Sequence, residues 1–167
     1  MGRKYQVISG DGHLETPPDF VRFVPEKWKD RAPKLIACVR EEADLLATSS
    51  GIPPDTVILG GRSMGGRMCS MAVAEGLPAA GLALIAYPLH PPGKADRLRI
   101  EHFPDITVPC LFVSGTSDPF GTPDEFASHT AAIAGEVTHV WIEGGRHELK
   151  GADASVAKAV ADWASAL

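Results

Sequence analysis

An α/β fold, a three-layer sandwich with a mainly parallel sheet, is predicted by two features of the sequence. Short apolar runs alternate with helix-like stretches along residues 54–167, which is typical of strands joined by crossover helices. The runs TVILGG and GLALIAYP are continuously apolar, which indicates strands buried on both faces. Right-handed crossovers then place helices on both faces of the sheet.

Four strands of this sheet are bounded by glycine or proline, and we expect them over residues 56–61, 81–88, 108–115 and 137–145. Helices are predicted between or after them over residues 64–76, 122–134 and 153–167, with a short one near residues 96–102. Thr122 and Asp153 are the expected N-caps, because side-chain oxygens of these residue types accept from free N–H groups.

The first third of the chain follows a different pattern. The β-prone run YQVIS, residues 5–9, precedes a proline-rich stretch for which we expect loop and one short helix near residues 18–23. Spaced apolar residues and a Gly stop predict a helix over residues 35–48. We expect a single domain over residues 1–167, with 1–40 as an atypical proline-rich segment and 54–167 as the core.

Composition disfavours several classes of protein. The 167 residues carry a net charge of −5 without a long Lys/Arg run, which argues against nucleic acid and anionic membranes as partners. No apolar stretch reaches the roughly 18 residues of a membrane span. The N-terminus lacks a signal-like apolar core, and Cys38, Cys69 and Cys110 fit no CxxC pattern, so we expect a cytoplasmic protein with reduced thiols.

The strongest chemical signal is a G-x-S-x-G motif between a predicted strand and a predicted helix. It reads Gly61-Arg62-Ser63-Met64-Gly65, a context that presents a serine on a sharp turn. The backbone N–H of Met64 is the expected first oxyanion donor, because free N–H groups and a positive dipole end lie at a helix N-terminus.

A nucleophilic serine needs a base, and the base needs an acid that orients it. Both groups follow the third and fourth predicted strands of the core: Asp118 lies in GTSDPFG and His147 in GGRHELKG. Because parallel strands bring their carboxyl ends to one edge, we expect Ser63, Asp118 and His147 to meet there as a catalytic triad. Taken singly, these residues also fit a tight turn, a turn start and a surface histidine.

Three further residues are candidates for contact with a substrate. His90 and His102 follow the second strand of this core and are predicted to line the pocket, and Arg62 would contact an acidic group. The alternative for each is a solvated surface side chain.

Four stretches, GGRSMGGRM, AYPLHPPGK, VPCLFVSGTSDPFG and WIEGGRHELK, resemble the α/β-hydrolase superfamily, near its dienelactone-hydrolase-like small hydrolases. The resemblance runs from about residue 54 to the C-terminus. It implies Ser63 as nucleophile, Asp118 as acid and His147 as base, acting without a cofactor on an ester, thioester or related acyl bond. A complete member has further strands before the nucleophile strand, so we expect a truncated fold that lacks them.

The first 35 or so residues are similar to the start of amidohydrolase-type metal-dependent hydrolases, in which a D-x-H pair binds metal. Asp11 and His13 match that pair and make a metal site the alternative interpretation. A catalytic zinc usually takes three protein ligands, so we expect no metal.

A structural role for this segment is the preferred interpretation. Pairing of residues 5–9 with residues 56–61 would cover an apolar sheet edge that otherwise invites a second copy of the chain and a homodimer. It would also bring the Gly10 N–H beside Ser63 as a second oxyanion donor. The alternative to a small-molecule hydrolase is a catalytically impaired interaction or dimerising module.

Overall fold

The protein is described by a computed structural model that covers residues 7–9 and 32–167. The short helix expected near residues 18–23, the Asp11/His13 pair and Gly10 therefore lie outside the described residues. The first two residues of the YQVIS run lie outside them as well.

Five parallel strands form one sheet, and their order across the sheet is their order along the chain. The strands are β1 (Val7–Ser9), β2 (Ile58–Arg62), β3 (Gly81–Ile85), β4 (Cys110–Gly115) and β5 (Val137–Ile142). Since each crossover steps to the next strand in the same direction, right-handedness puts all the connecting segments on one face, in contrast to the crossover helices expected on both faces.

The helices confirm three layers. They are α1 (Ala32–Ser50), α2 (Met64–Ala74), α3 (Pro123–Thr130) and α4 (Asp153–Ala166), with 3-10 turns at Pro54–Thr56 and Phe103–Asp105. Side chains of α1, α2 and α3 share the main core with the sheet. Helix α4 lies on the opposite face, where Val156 packs with Ala152 and Ile142 and Trp163 covers Gly81.

The main core centres on Phe112 of β4, which is fully buried. Its ring meets Tyr87 at 5.7 Å and Phe126 at 5.6 Å between centroids, both with edge-to-face geometry. Phe103 of the second 3-10 turn closes the group at 6.2 Å from Phe112. These contacts anchor the loop after β3 and helix α3 to the same strand, and aromatic pairs of this kind add about 0.5–1.5 kcal/mol beyond area burial.

Strand β1 pairs in parallel with β2, with Val7 opposite Ile58 and Ser9 opposite Gly60. This confirms the predicted pairing for the described part of the YQVIS run. The carboxyl end of β1 therefore lies beside the last residues of β2. Strand β2 itself ends at Arg62, one residue before Ser63. The edge of β2 that suggested a homodimer is covered by β1, and an oligomeric state remains a prediction.

Several element boundaries differ from those expected. Strand β3 ends at Ile85 instead of residue 88, because Ala86 adopts a φ of 47° that no strand continues. Helix α3 ends at Thr130, and the N–H groups of Ala134 and Gly135 donate to Ile106 O instead of extending it.

Two local assignments were wrong. The short helix expected near residues 96–102 is absent there; the chain forms turns before the 3-10 segment Phe103–Asp105. Asp153 is the first residue of α4, and its N-cap is Ala152, which offers no side-chain acceptor. At α3 the expected Thr122 cap is present, as a capping box with Glu125.

Substitution of Gly115 by alanine should destabilise the protein strongly, because a Cβ there would lie 2.1 Å from the carbonyl oxygen of Gly145. Such overpacking against backbone costs up to about 3 kcal/mol. Gly51→Ala is the matched control: its Cβ meets nothing within 4 Å, and only its φ of 66° is strained, at about 1–2 kcal/mol. Urea unfolding measures both variants, and a smaller loss in Gly115→Ala than in Gly51→Ala would contradict the contact.

Candidate active site

Ser63 occupies a strained turn between β2 and α2. Its φ of 51° and ψ of −117° lie in a region that L-residues rarely adopt. Two backbone hydrogen bonds hold it: the Ser63 N–H donates to Ile85 O at 2.8 Å, and Ser63 O accepts from the Arg67 N–H at 3.2 Å. The hydroxyl is therefore presented at the carboxyl edge of the sheet.

Glycines make this turn sterically feasible. A Cβ on Gly61 would lie 2.5 Å from the carbonyl carbon of Gly65, and a Cβ on Gly66 would lie 2.7 Å from Gly61 O. Strand and helix can approach this closely only without side chains at these positions. The G-x-S-x-G pattern thus reflects the geometry that its context predicts.

The structure brings Ser63, His147 and Asp118 together. Ser63 Oγ lies 2.8 Å from His147 Nε2, and His147 Nδ1 lies 2.9 Å from Asp118 Oδ2. The second carboxylate oxygen accepts from the Phe120 N–H at 2.9 Å. The Asp118 side chain is only 1% exposed, and each of its carboxylate oxygens has a hydrogen-bond partner.

The loops that carry Asp118 and His147 are held against each other by backbone contact. The close approach of Gly115 to Gly145 leaves no room for a side chain. The Ser117 N–H donates to Gly145 O at 2.9 Å, and the Gly144 N–H donates to Thr116 Oγ1 at 2.8 Å. The acid and the base are therefore fixed relative to each other by main-chain geometry.

Two neighbours orient His147 further. The Phe120 ring lies against the imidazole, with 4.0 Å between centroids and planes tilted by 31°. An Arg62 guanidinium nitrogen donates to the His147 carbonyl at 3.1 Å. Arg62, expected to meet substrate, is thus engaged with the backbone of the histidine, and a substrate contact by it remains a prediction. Nothing in the sequence singled out Phe120, since an aromatic residue after Asp-Pro has many uses.

Met64 is the first residue of α2, so its N–H belongs to the helix N-terminal group that has no intrahelical acceptor. Its side chain is 53% exposed. The N–H is therefore free to serve as the expected oxyanion donor, while the position of Gly10 lies outside the described part of the chain.

The His90 side chain is engaged with the protein. Its side chain is buried, and Nδ1 lies 2.9 Å from Pro91 O. Nε2 faces Glu125 Oε1 at 3.3 Å, although without hydrogen-bond geometry. The ring therefore links its own loop to α3.

His102 is likewise engaged with the protein. Its Nε2 lies 2.8 Å from Ser70 Oγ and 3.4 Å from the Tyr87 hydroxyl. Burial, and then the positive charge of Arg67, lowers the pKa of His102 to about 4. The ring is therefore neutral at pH 7 and links α2 to the segment that follows β3.

Neither a cluster of metal-binding side chains nor a membrane-spanning helix occurs among the described residues. Among residues 7–9 and 32–167, no three His, Cys, Asp or Glu side chains cluster closely enough to hold a metal ion. In the same part of the chain no helix has the length and apolarity to cross a membrane.

Substitution of His102 by glutamine should flatten the acid dependence of stability. Between the ordinary pKa of 6.5 and the folded-state pKa of about 4, the unfolded chain binds a proton that the folded chain does not. Stability is therefore lost as pH falls through this window, and His102→Gln removes that contribution. Urea unfolding over the same range measures it; parallel pH curves for the two proteins would refute the shifted titration.

Comparison with known proteins extends the family resemblance. Residues 24–167 match the family model described as an alpha/beta hydrolase domain. The match begins about 30 residues before the stretch that suggested the family, so α1 belongs to the matched region.

Solved structures with the same fold are longer than this chain. A truncated carbohydrate esterase from gut microbiota aligns with a TM-score of 0.63 at 12% identity, over 83% of this chain and 68% of its own. Protein TT1662 from Thermus thermophilus gives 0.62 at 19%, over 83% and 66%.

A puromycin-hydrolysing peptidase from Mycobacterium tuberculosis gives a TM-score of 0.56 at 19% identity, over 72% of this chain. The chain spans 23% of that peptidase, and about two thirds of the other two proteins. Identities this low show the fold alone. The family match covers most of the sequence, and the chain therefore belongs to the α/β-hydrolase family.

Proposed function

We propose that the chain is a serine hydrolase that cleaves an ester, thioester or related acyl bond through an acyl-enzyme. The observation that carries the proposal is the 2.8 Å separation of Ser63 Oγ and His147 Nε2, backed by Asp118 at 2.9 Å. Both distances lie within hydrogen-bond reach, the geometric requirement for an activated nucleophile. Membership of the α/β-hydrolase family supports the same reaction class.

The hydrogen bonds define the proton path of this reaction. The Nδ1–H of His147 donates to Asp118, so Nε2 presents its lone pair to the Ser63 hydroxyl. As Ser63 Oγ attacks the acyl carbon, Nε2 takes the hydroxyl proton and later returns it to the leaving alcohol or thiol. Asp118 stabilises the transient imidazolium, and water completes the cycle by attacking the acyl-enzyme with the same base.

Negative charge on the tetrahedral oxygen needs donors that are already in place. The Met64 N–H, at the start of α2, supplies one in this proposal, together with the positive end of the helix dipole. The second is assigned to Gly10. The parallel pairing of β1 supports that assignment, because Ser9, the residue before Gly10, lies opposite Gly60, three residues before Ser63.

The activities named for two structural neighbours, a carbohydrate esterase and a puromycin-hydrolysing peptidase, are hydrolytic. We take from them only the reaction type, and the proposal names acyl bonds because Ser63 and His147 are arranged for acyl transfer. Cytoplasmic location and small-molecule substrates remain part of the proposal.

A fluorophosphonate probe should label Ser63 in the wild-type protein. Labelling should disappear in Ser63→Ala and persist in Ser70→Ala. Ser70 is a matched control, since it also lies 2.8 Å from a histidine Nε2 but is completely buried. In-gel fluorescence and peptide mass mapping give the readout. An unlabelled wild type, or equal labelling of Ser63→Ala, would favour an inactive interaction module instead.

Replacement of Asp118 by asparagine should lower kcat for p-nitrophenyl acetate by roughly 10³–10⁴-fold. The asparagine amide would donate to Nδ1, which moves the imidazole proton to Nε2 and removes the base that faces Ser63. Asp124→Asn, on the exposed first turn of α3, removes the same charge and should change kcat by less than about twofold. A kcat for Asp118→Asn within tenfold of the wild type would exclude the assigned role.

A further inference from the structure

We propose that Arg67 and Arg99 form an anion-binding subsite beside Ser63, and that the acyl substrate carries a carboxylate or phosphate group. The assignment of this group to a substrate rests on the proposed hydrolase function. The subsite itself is a property of the two arginines and can be tested separately.

Both arginines belong to the rim at the carboxyl edge of the sheet. Arg67 lies one helical turn after Ser63, to whose carbonyl its N–H donates at 3.2 Å. Arg99 is tied to the loop after β3, where its N–H donates to Leu89 O at 2.8 Å. That loop begins directly after Ile85, the residue whose carbonyl holds the Ser63 N–H.

A buried polar network fixes the two backbone segments relative to each other. The Ser70 hydroxyl donates to Arg67 O at 2.9 Å, and the Tyr87 hydroxyl donates to Arg99 O at 3.2 Å. His102 Nε2 lies within 2.8 Å of the first hydroxyl and 3.4 Å of the second. The backbones of the two arginines are thus held relative to each other before any ligand binds.

The two guanidinium groups lack the partners that such groups normally have. The hydrogen-bonded chain through Ser70, His102 and Tyr87 brings the backbones of Arg67 and Arg99 together. Burial first, and then the charge of Arg67, lowers the pKa of Arg99. Both side chains are half-buried, and within the described residues no carboxylate lies in salt-bridge range of either. Arg67 Nε is buried without a hydrogen-bond partner.

The side chains of two other arginines, Arg40 and Arg62, have partners. Arg40 pairs with Glu75 at 3.3 Å, and Arg62 donates to the His147 carbonyl. Unpaired, partly buried cations are costly, and two of like sign side by side are more so. An anion between Arg67 and Arg99 would offset both costs.

Two polar groups beside the arginines carry no charge at pH 7. Burial raises the pKa of Tyr87 well above its usual range, so the phenol stays neutral. His102 is neutral at pH 7, since its pKa is lowered to about 4 by burial and by Arg67. The carboxylates of Glu101, Asp105 and Glu75 act on His102, but none of the three lies in salt-bridge range of Arg67 or Arg99. Guanidinium groups suit carboxylate and phosphate because their N–H groups match two anionic oxygens at once.

Binding of glutarate and of inorganic phosphate to the whole chain tests the subsite directly. Isothermal titration at low ionic strength should show that at least one of them binds to the wild type. Arg67→Gln and Arg99→Gln should each weaken this binding about tenfold or more. Arg97→Gln is the matched control, because it removes the same charge from an exposed position in the same loop and should weaken binding less than about twofold.

The two anions separate the two chemical sources. Binding of glutarate alone assigns a carboxylate, and binding of phosphate alone assigns a phosphate; either supports the subsite. Absence of binding for both at millimolar concentration, or an equal effect of Arg97→Gln, would overturn it. Arg67→Lys keeps the charge with less disturbance of packing, and should bind more weakly than the wild type because the two-pronged contact is lost.

A kinetic comparison connects the subsite to the reaction. The ratio of kcat/KM for mono-p-nitrophenyl glutarate to that for p-nitrophenyl acetate should fall about tenfold in Arg67→Gln and remain unchanged in Arg97→Gln. Unchanged anion binding and an unchanged ratio in a protein whose Ser63 is labelled would reject the subsite alone. Lack of labelling, with anion binding that depends on Arg67, would reject the hydrolase proposal alone.

Discussion

The strained backbone of Ser63 is the constraint on which the rest of the site depends. A φ of 51° at a residue with a side chain costs about 1–3 kcal/mol and persists only when its surroundings enforce it. Here the neighbouring strand enforces it, through the bond from the Ser63 N–H to Ile85 O, while Gly61 and Gly66 let the helix follow at once. The same turn creates the position of the half-buried Ser63 hydroxyl, the helix N-terminus behind it and the position of Arg67.

Strain of this kind is concentrated at one edge of the molecule. In the described part of the chain the non-glycine residues with positive φ are Ser63, Ala86 and Leu149. They follow β2, β3 and β5 respectively, where the loops leave the carboxyl ends of the strands. Ala86 is held as Ser63 is, by a bond from its N–H to the next strand, at Val113 O. The regular sheet therefore stabilises irregular loops, and the irregular loops carry the chemistry.

The sequence was most informative where local geometry and side-chain chemistry coincide. The glycines around Ser63 predicted the turn, and parallel strand ends predicted that Asp118 and His147 would meet it. The pairing of β1 with β2 followed from an apolar edge that needed a cover. These inferences need only periodicity, turn chemistry and the handedness of crossovers.

Tertiary contacts decided what the sequence could not predict. Strand β3 ends because Ala86 has a positive φ, and an alanine in the sequence does not indicate a positive φ. The contacts of the His90 and His102 rings with Pro91 and Ser70 could not be read from the sequence, and a role for either residue in lining a pocket remains a prediction. Arg67 on α2 and Arg99 on a distant loop are linked through Ser70, Tyr87 and His102. No spacing along the chain encodes this link.

A crystal structure of the protein after reaction with a small phosphonate ester would show whether Ser63 is the nucleophile and whether the Met64 N–H is an oxyanion donor. The phosphorus atom then stands in for the tetrahedral acyl carbon, and its free oxygen for the oxyanion. We expect a covalent bond to Ser63 Oγ, with this oxygen about 2.7–3.1 Å from the Met64 nitrogen. A phosphonate bound to another residue, or an oxygen directed away from the N-terminus of α2, would contradict it.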